Sequence, residues 1–188
     1  MKITFIFSPQ YEAVISAKAV PFSIGSKASS AISAAWKKER RTIEKALFRA
    51  TGLHFQKKDL ICYINSRASL SNPLSLKISS ITEVMCDNLI HELVHVLLTQ
   101  NLNIIGKDIE KFHDSFKEYN FTTRIHILVH AIHFEVTRSI YPQRVRSVLS
   151  YARSKDYRTS WKIVKEVGAQ KIITMVLKNN PKLATKNQ

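Results

Sequence analysis

Residues 74–100 read LSLKISSITEVMCDNLIHELVHVLLTQ, a short alternating run followed by an apolar segment that neither Pro nor Gly interrupts. Leu74-Ser75-Leu76-Lys77-Ile78 has the period of a half-exposed strand. Ser80 and Glu83 stand at capping-box spacing, and Leu89, Ile90, Leu93, Val96 and Leu97 recur as on a helix over 81–100. Inside that helix lies His91-Glu92-Leu93-Val94-His95. Side chains four apart on a helix share a face, so both imidazoles can reach one metal ion, and zinc suits this donor chemistry. Glu92 falls about 100° further round, beside the metal's open position, where it can take a proton from water. The competing reading is two core histidines on a buried helix.

Outward from this stretch, the chain reads as an α+β protein. Residues 2–7 alternate and are β-branched or aromatic, which predicts a strand, and Leu60–Ile64 predicts another. Ser29–Ala50 carries Ile32, Trp36, Ile43, Leu47 and Phe48 at helical spacing, with Gly52 as its stop. Ser71-Asn72-Pro73 marks a turn. Residues 101–119 form a polar connection with a short helix around Asp108–Tyr119. Asn120–Thr123 caps a helix that runs to about Ile140, before Pro142. Two more helices are expected, at about Gln143–Ser154 and at Tyr157–Val167, the latter stopped by Gly168 and continued by Ala169–Leu177. Lys178–Gln188 should fray. Residues 1–140 would form the catalytic core, with 141–188 a basic helical segment packed on it in a single domain overall.

Bulk properties narrow the classes further. The length of 188 residues, with 45% hydrophobic and 23% charged residues, fits a globular protein with one core. The net charge of +15 is concentrated at the C-terminal end, where residues 137–188 hold twelve Lys/Arg against two Asp/Glu. Such a surface suits nucleic acid, anionic lipid or an acidic partner, or is simply solvated. Cys62 and Cys86 are too few for a disulfide framework and read as buried free thiols. No run approaches the length of a membrane span. The apolar start at Met1–Phe7 stops at Ser8-Pro9-Gln10, short of a signal-peptide core, although Ala17-Lys18-Ala19 has the A-x-A form, so a cytoplasmic location is expected.

A catalytic zinc needs a third protein ligand. An extended HExxHxxGxxH pattern fails, because Leu98 and Asn101 stand where Gly and His would be. His54 and His113 read as ordinary surface residues. On the helix over 123–140, His126, His130 and His133 share one face, Ile125, Val129, Ile132 and Val136 form a core stripe, and Arg124, Glu135 and Arg138 form the charged side. His130 is the first candidate, His126 the next, and His133 follows. The histidines that do not bind metal would orient a ligand or stabilise a developing oxyanion. Glu135, among the arginines, is a poor ligand candidate.

His91-Glu92-Leu93-Val94-His95, Ile125-His126-Ile127-Leu128-Val129-His130-Ala131 and Tyr157–Gly168 together resemble small zincin-like metallopeptidases of the minigluzincin kind, over roughly residues 80–175. The resemblance implies a small mixed sheet whose edge strand flanks a cleft, an active-site helix beneath it, and a following helix that brings the third ligand. It implies a zinc metalloendopeptidase, with Glu92 as general base and a peptide paired to Leu74–Ile78 as an added strand. Gluzincins supply a glutamate as third ligand, whereas the metal-facing positions here are histidines. Some small relatives are latent, with a terminal segment in the cleft. The alternatives are an inactive zincin homologue, a nucleic-acid-binding module, and a protease acting on DNA-bound proteins. For the last two, Arg144, Arg146, Arg153, Arg158, Lys162 and Lys165 would supply charge, with Tyr151, Tyr157 and Trp161 interleaved; Trp161, Val164 and Val167 also fit a plain core stripe.

Overall fold

The computed structural model describes residues 1–16, 19–146 and 154–178. Within them the chain is α+β, with seven α-helices and one small mixed sheet. Among the described residues no helix is long and apolar enough to cross a membrane. Residues 147–153, most of the helix expected over 143–154, lie outside the described residues. So do Ala17 and Lys18 of the A-x-A and all but the first residue of the tail expected to fray.

The chain divides into two compact units, with two of the three boundaries falling inside long helices. The first comprises Met1–Thr42 and Phe55–Val96 and contains the sheet. Strands β1 (Lys2–Phe7), β2 (Asp59–Asn65), β3 (Leu70–Ser71) and β4 (Leu74–Lys77) lie in the order β1-β2-β4-β3. β1 pairs with β2 in parallel, with Ile3 opposite Leu60 and Phe7 opposite Ile64. β2 pairs with β4 in parallel through Tyr63–Ser75 and Ile64–Leu76. Parallel neighbours need a long crossover, and α1 (Pro9–Ile15) and α2 (Phe22–Thr51) supply the one from β1 to β2. The alternation in β1 puts Ile3 and Phe7 inside, where the core also includes Ile32, Trp36, Cys62, Ile64, Leu76, Leu89, Ile90 and Leu93.

Two elements of this unit correct the sequence reading. The first is Leu74–Ile78, expected as an open edge able to accept a peptide. β4 instead lies between β2 and β3, Ser75 is fully buried, and the Lys77 N–H donates to Ser69 Oγ at 3.0 Å. Asn72-Pro73 turns the chain so that Leu70-Ser71 pairs antiparallel with Leu74-Ser75 and covers that edge. Alternation cannot separate a half-exposed edge from an inner strand whose polar position is a small serine. The second is the stretch between β1 and Ser29, where the sequence reading places no element. Ser8 Oγ accepts from the Tyr11 N–H, Pro9 occupies the first helical turn, and α1 follows; serine followed by proline is a helix start. Helix α2 likewise begins at Phe22, seven residues before the expected Ser29. Gly25 lies in its first turns for lack of space, since a Cβ there would overlap the Phe7 ring.

The second unit comprises Ile43–His54 and Leu97–Gln188 and is helical among its described residues. Helix α3 (Thr82–Gln100) matches the expected span within a residue. Asn101 is buried and its amide donates to the carbonyls of Leu97 (2.8 Å) and His54 (3.0 Å). This fixed turn lets α4 (Leu102–Asp114) start six residues ahead of the expected Asp108. Asn120 caps α5 (Phe121–Ile140), its Oδ1 accepting from the Thr123 N–H at 2.9 Å. Ser154 caps α6 (Lys155–Val167), and α7 (Ala169–Ile173) leads into one π-turn over Thr174–Lys178. The two glycine stops behave as expected: Gly52 (φ 70°) and Gly168 (φ 92°) take the left-handed backbone that side chains disfavour. Ile127 to His133 are all buried, so the middle of α5 is enclosed on every side rather than along one stripe.

Candidate metal centre

The helical spacing of His91 and His95 does what geometry requires, placing their ring centroids 5.1 Å apart on one face of α3. His91 is buried and His95 half-buried. One ligand-capable nitrogen from each of His91, His95 and His126 lies within 4.8 Å of the others. Three imidazoles that close, with no sulfur among them, form a donor set suited to a borderline divalent cation such as zinc.

The His126 ring is prepared for that role. Its Nδ1 lies 2.7 Å from the Thr122 carbonyl. A carbonyl only accepts, so Nδ1 carries the proton and Nε2 keeps its lone pair. A backbone carbonyl on the far nitrogen is the usual device for fixing the tautomer of a ligating histidine. Burial lowers the His126 pKa, outweighing the Thr122 hydrogen bond and the Asp156 carboxylate that raise it, and this favours the neutral ring that binds metal. Tyr157 of α6 packs against the same ring, with centroids 4.2 Å apart.

Glu92, the next residue on α3, is buried, and desolvation pushes its carboxyl up to about 8. A nearby cation would act the other way and favour the carboxylate. Cys62 is fully buried, and burial with the Glu92 charge pushes its thiol up, so it is an inert core residue. Both cysteines are buried and neither is in a disulfide among the described residues, as the sequence reading expects. Asp87, one turn before His91 on the same face, is a buried carboxylate that the sequence reading passed over. Its signal was the spacing Asp87, His91, His95.

The other α5 histidines are placed differently. His130, the first candidate for third ligand, stacks on Trp161 (4.2 Å between centroids, 7° between planes) and is not in the three-histidine group. Its Nδ1 lies 2.8 Å from Ser160 Oγ, whose proton goes to the Tyr157 carbonyl. His133 is buried beside Trp161. Glu135 pairs with Arg138 at 2.6 Å on the charged side, as the wheel indicates. His54 stacks on Phe48, and His113 lies on α4 beside Phe112 and Phe121.

Desolvation, with the Arg144 charge adding to it, pushes His133 down to about 3. The folded protein therefore holds the ring neutral, while the unfolded chain takes a proton below about 6.5. The resulting stability is complete above that pH and declines as pH falls towards the folded value, by about 1.4 kcal/mol per unit. Urea titrations at pH 7 and pH 5 should show His133→Leu losing about 2 kcal/mol less than the wild type over that interval. Parallel losses in the two proteins would mean that His133 is protonated in the folded state.

On α6, Arg158, Lys162 and Lys165 are exposed, while Trp161 is buried and Tyr157 packs on His126 and His130. The rings that could stack on bases are thus engaged inside the protein. Arg153 and Tyr151 lie outside the described residues. No protein-family model, curated protein or solved structure matches this chain.

Proposed function

We propose that this chain is a zinc-dependent peptidase of zincin type, with His91, His95 and His126 holding the metal and Glu92 serving as general base. One observation carries the reading: a third imidazole, with its tautomer set by a backbone carbonyl, joins the two histidines that flank a buried glutamate in HExxH. Three protein ligands are the number that leaves zinc open to a substrate or a water. When bound, zinc would supply a Lewis acid and lower the pKa of a water towards ~7.

The chain's own groups account for the proton traffic. The Glu92 carboxylate accepts a proton from water as the new C–O bond forms at the peptide carbonyl. It returns that proton to the amide nitrogen as the C–N bond breaks. Thr122 holds the His126 ring in the ligating tautomer. The surrounding burial excludes bulk water and strengthens each electrostatic contact. The substrate is a peptide or protein segment, and the covered outer edge of β4 means it is held by something other than strand addition at Leu74–Ile78.

The test is hydrolysis of a fluorogenic peptide library by zinc-loaded protein. Activity should vanish when a chelator strips the metal and return when zinc is added back. Cleavage that survives complete removal of metal would contradict the proposal.

A further inference from the structure

At the carboxyl ends of β1 and β2, the region where open sheets with parallel strands commonly bind ligands, the first unit holds a cavity of about 390 Å³. Its size is that of a small-molecule site. Ile15, Ala68, Leu70 and the Tyr11 ring make its walls mostly apolar. Two polar features break that lining. Ser75 lies at the floor, fully buried, and its Oγ has no hydrogen-bond partner. Leaving a buried hydroxyl unpaired is destabilising, so natural cores rarely do so without a reason.

The second feature is Arg67, exposed at the rim. Its Nη1 donates to the Ile15 carbonyl at 3.1 Å, and among the described residues no carboxylate pairs with it. The neighbouring acid, Glu12, is committed elsewhere, accepting from the N–H and hydroxyl of Ser66. Asn65 is likewise spent on the turn: its Oδ1 takes the N–H groups of Arg67 and Ala68, and its amide donates to Ala68 and Leu76 carbonyls. The turn that carries Arg67 is therefore fixed by side-chain bonds, and the cavity is preformed. What it lacks is an anion at the rim and a hydrogen-bonding atom at the floor, joined by an apolar body.

We propose that this cavity binds a small carboxylate with a flat apolar body and a hydrogen-bonding group at its opposite end, the class of the hydroxyaryl carboxylates. The Arg67 guanidinium pairs with the carboxylate, the body lies against Tyr11, Ile15 and Leu70, and Ser75 Oγ meets the distal group. This inference uses none of the metal-centre residues and stands or falls apart from the peptidase reading.

The probe is 4-hydroxyphenylacetate, titrated into the full chain by NMR, against phenylacetate and the uncharged 2-(4-hydroxyphenyl)ethanol. The probe should bind roughly five- to tenfold more tightly than phenylacetate and at least about tenfold more tightly than the alcohol. Ser75→Ala should erase the first preference and keep the second, and Arg67→Gln should do the reverse. If Ser75→Ala melts early, the three ligands on the wild-type protein still decide the matter. No saturable binding of the probe, or preferences that survive both substitutions, would overturn the proposal.

Discussion

Replacing Glu92 by Gln is expected to lower peptide hydrolysis by roughly 10²–10⁴-fold while zinc remains bound. The amide keeps the size of the side chain and its place on α3 but cannot accept a proton. The loss should fall on kcat more than on KM, because the role proposed for the carboxylate is proton transfer rather than holding substrate. Glu92 is buried, and its carboxyl is raised by desolvation, so the substitution also removes a group that is costly to ionise without a cation nearby. The metal-free variant should therefore be at least as stable as the metal-free wild type in a thermal melt. Equal turnover by the two zinc-loaded proteins would remove Glu92 from the chemistry.

The second large effect separates two histidines one turn apart. His126→Ala should weaken zinc binding by several orders of magnitude, because it takes one of the three imidazoles from the proposed ligand group. His130→Ala should leave zinc affinity within about tenfold of the wild type, since that ring lies outside the three-histidine group and stacks on Trp161. Its cost should appear instead as lost stability of about 2–4 kcal/mol, from a cavity beside Trp161 and the loss of the hydrogen bond to Ser160. Competition against a chromophoric chelator reads the first quantity and urea titration the second. A large loss of zinc affinity in His130→Ala with none in His126→Ala would reverse the assignment.

That pair also shows how far sequence reaches. The helical wheel correctly gathers His126, His130 and His133 on one side of α5 and sets Glu135 with Arg138, because direction around an axis follows from spacing alone. It is blind to height along the axis. His126 and His130 differ by about 6 Å of rise, a difference that direction around the axis does not register. Similar limits apply to the fold. HExxH helix boundaries, both glycine stops and β1 are legible, since each rests on local periodicity or a local backbone need. The inner position of β4 is not, because it depends on β3, a two-residue strand that makes no pattern of its own. The start of α2 is hidden for another reason: Gly25 is a poor helix former, and its place there is set by the Phe7 ring.

Zinc-edge X-ray absorption on the stoichiometrically loaded protein reads the proposed three-histidine zinc site without an activity assay. Three imidazole nitrogens and one oxygen are expected at about 2.0–2.1 Å, with one imidazole lost in His126→Ala. A sulfur shell near ~2.3 Å, or a spectrum with fewer than three imidazoles, would contradict it.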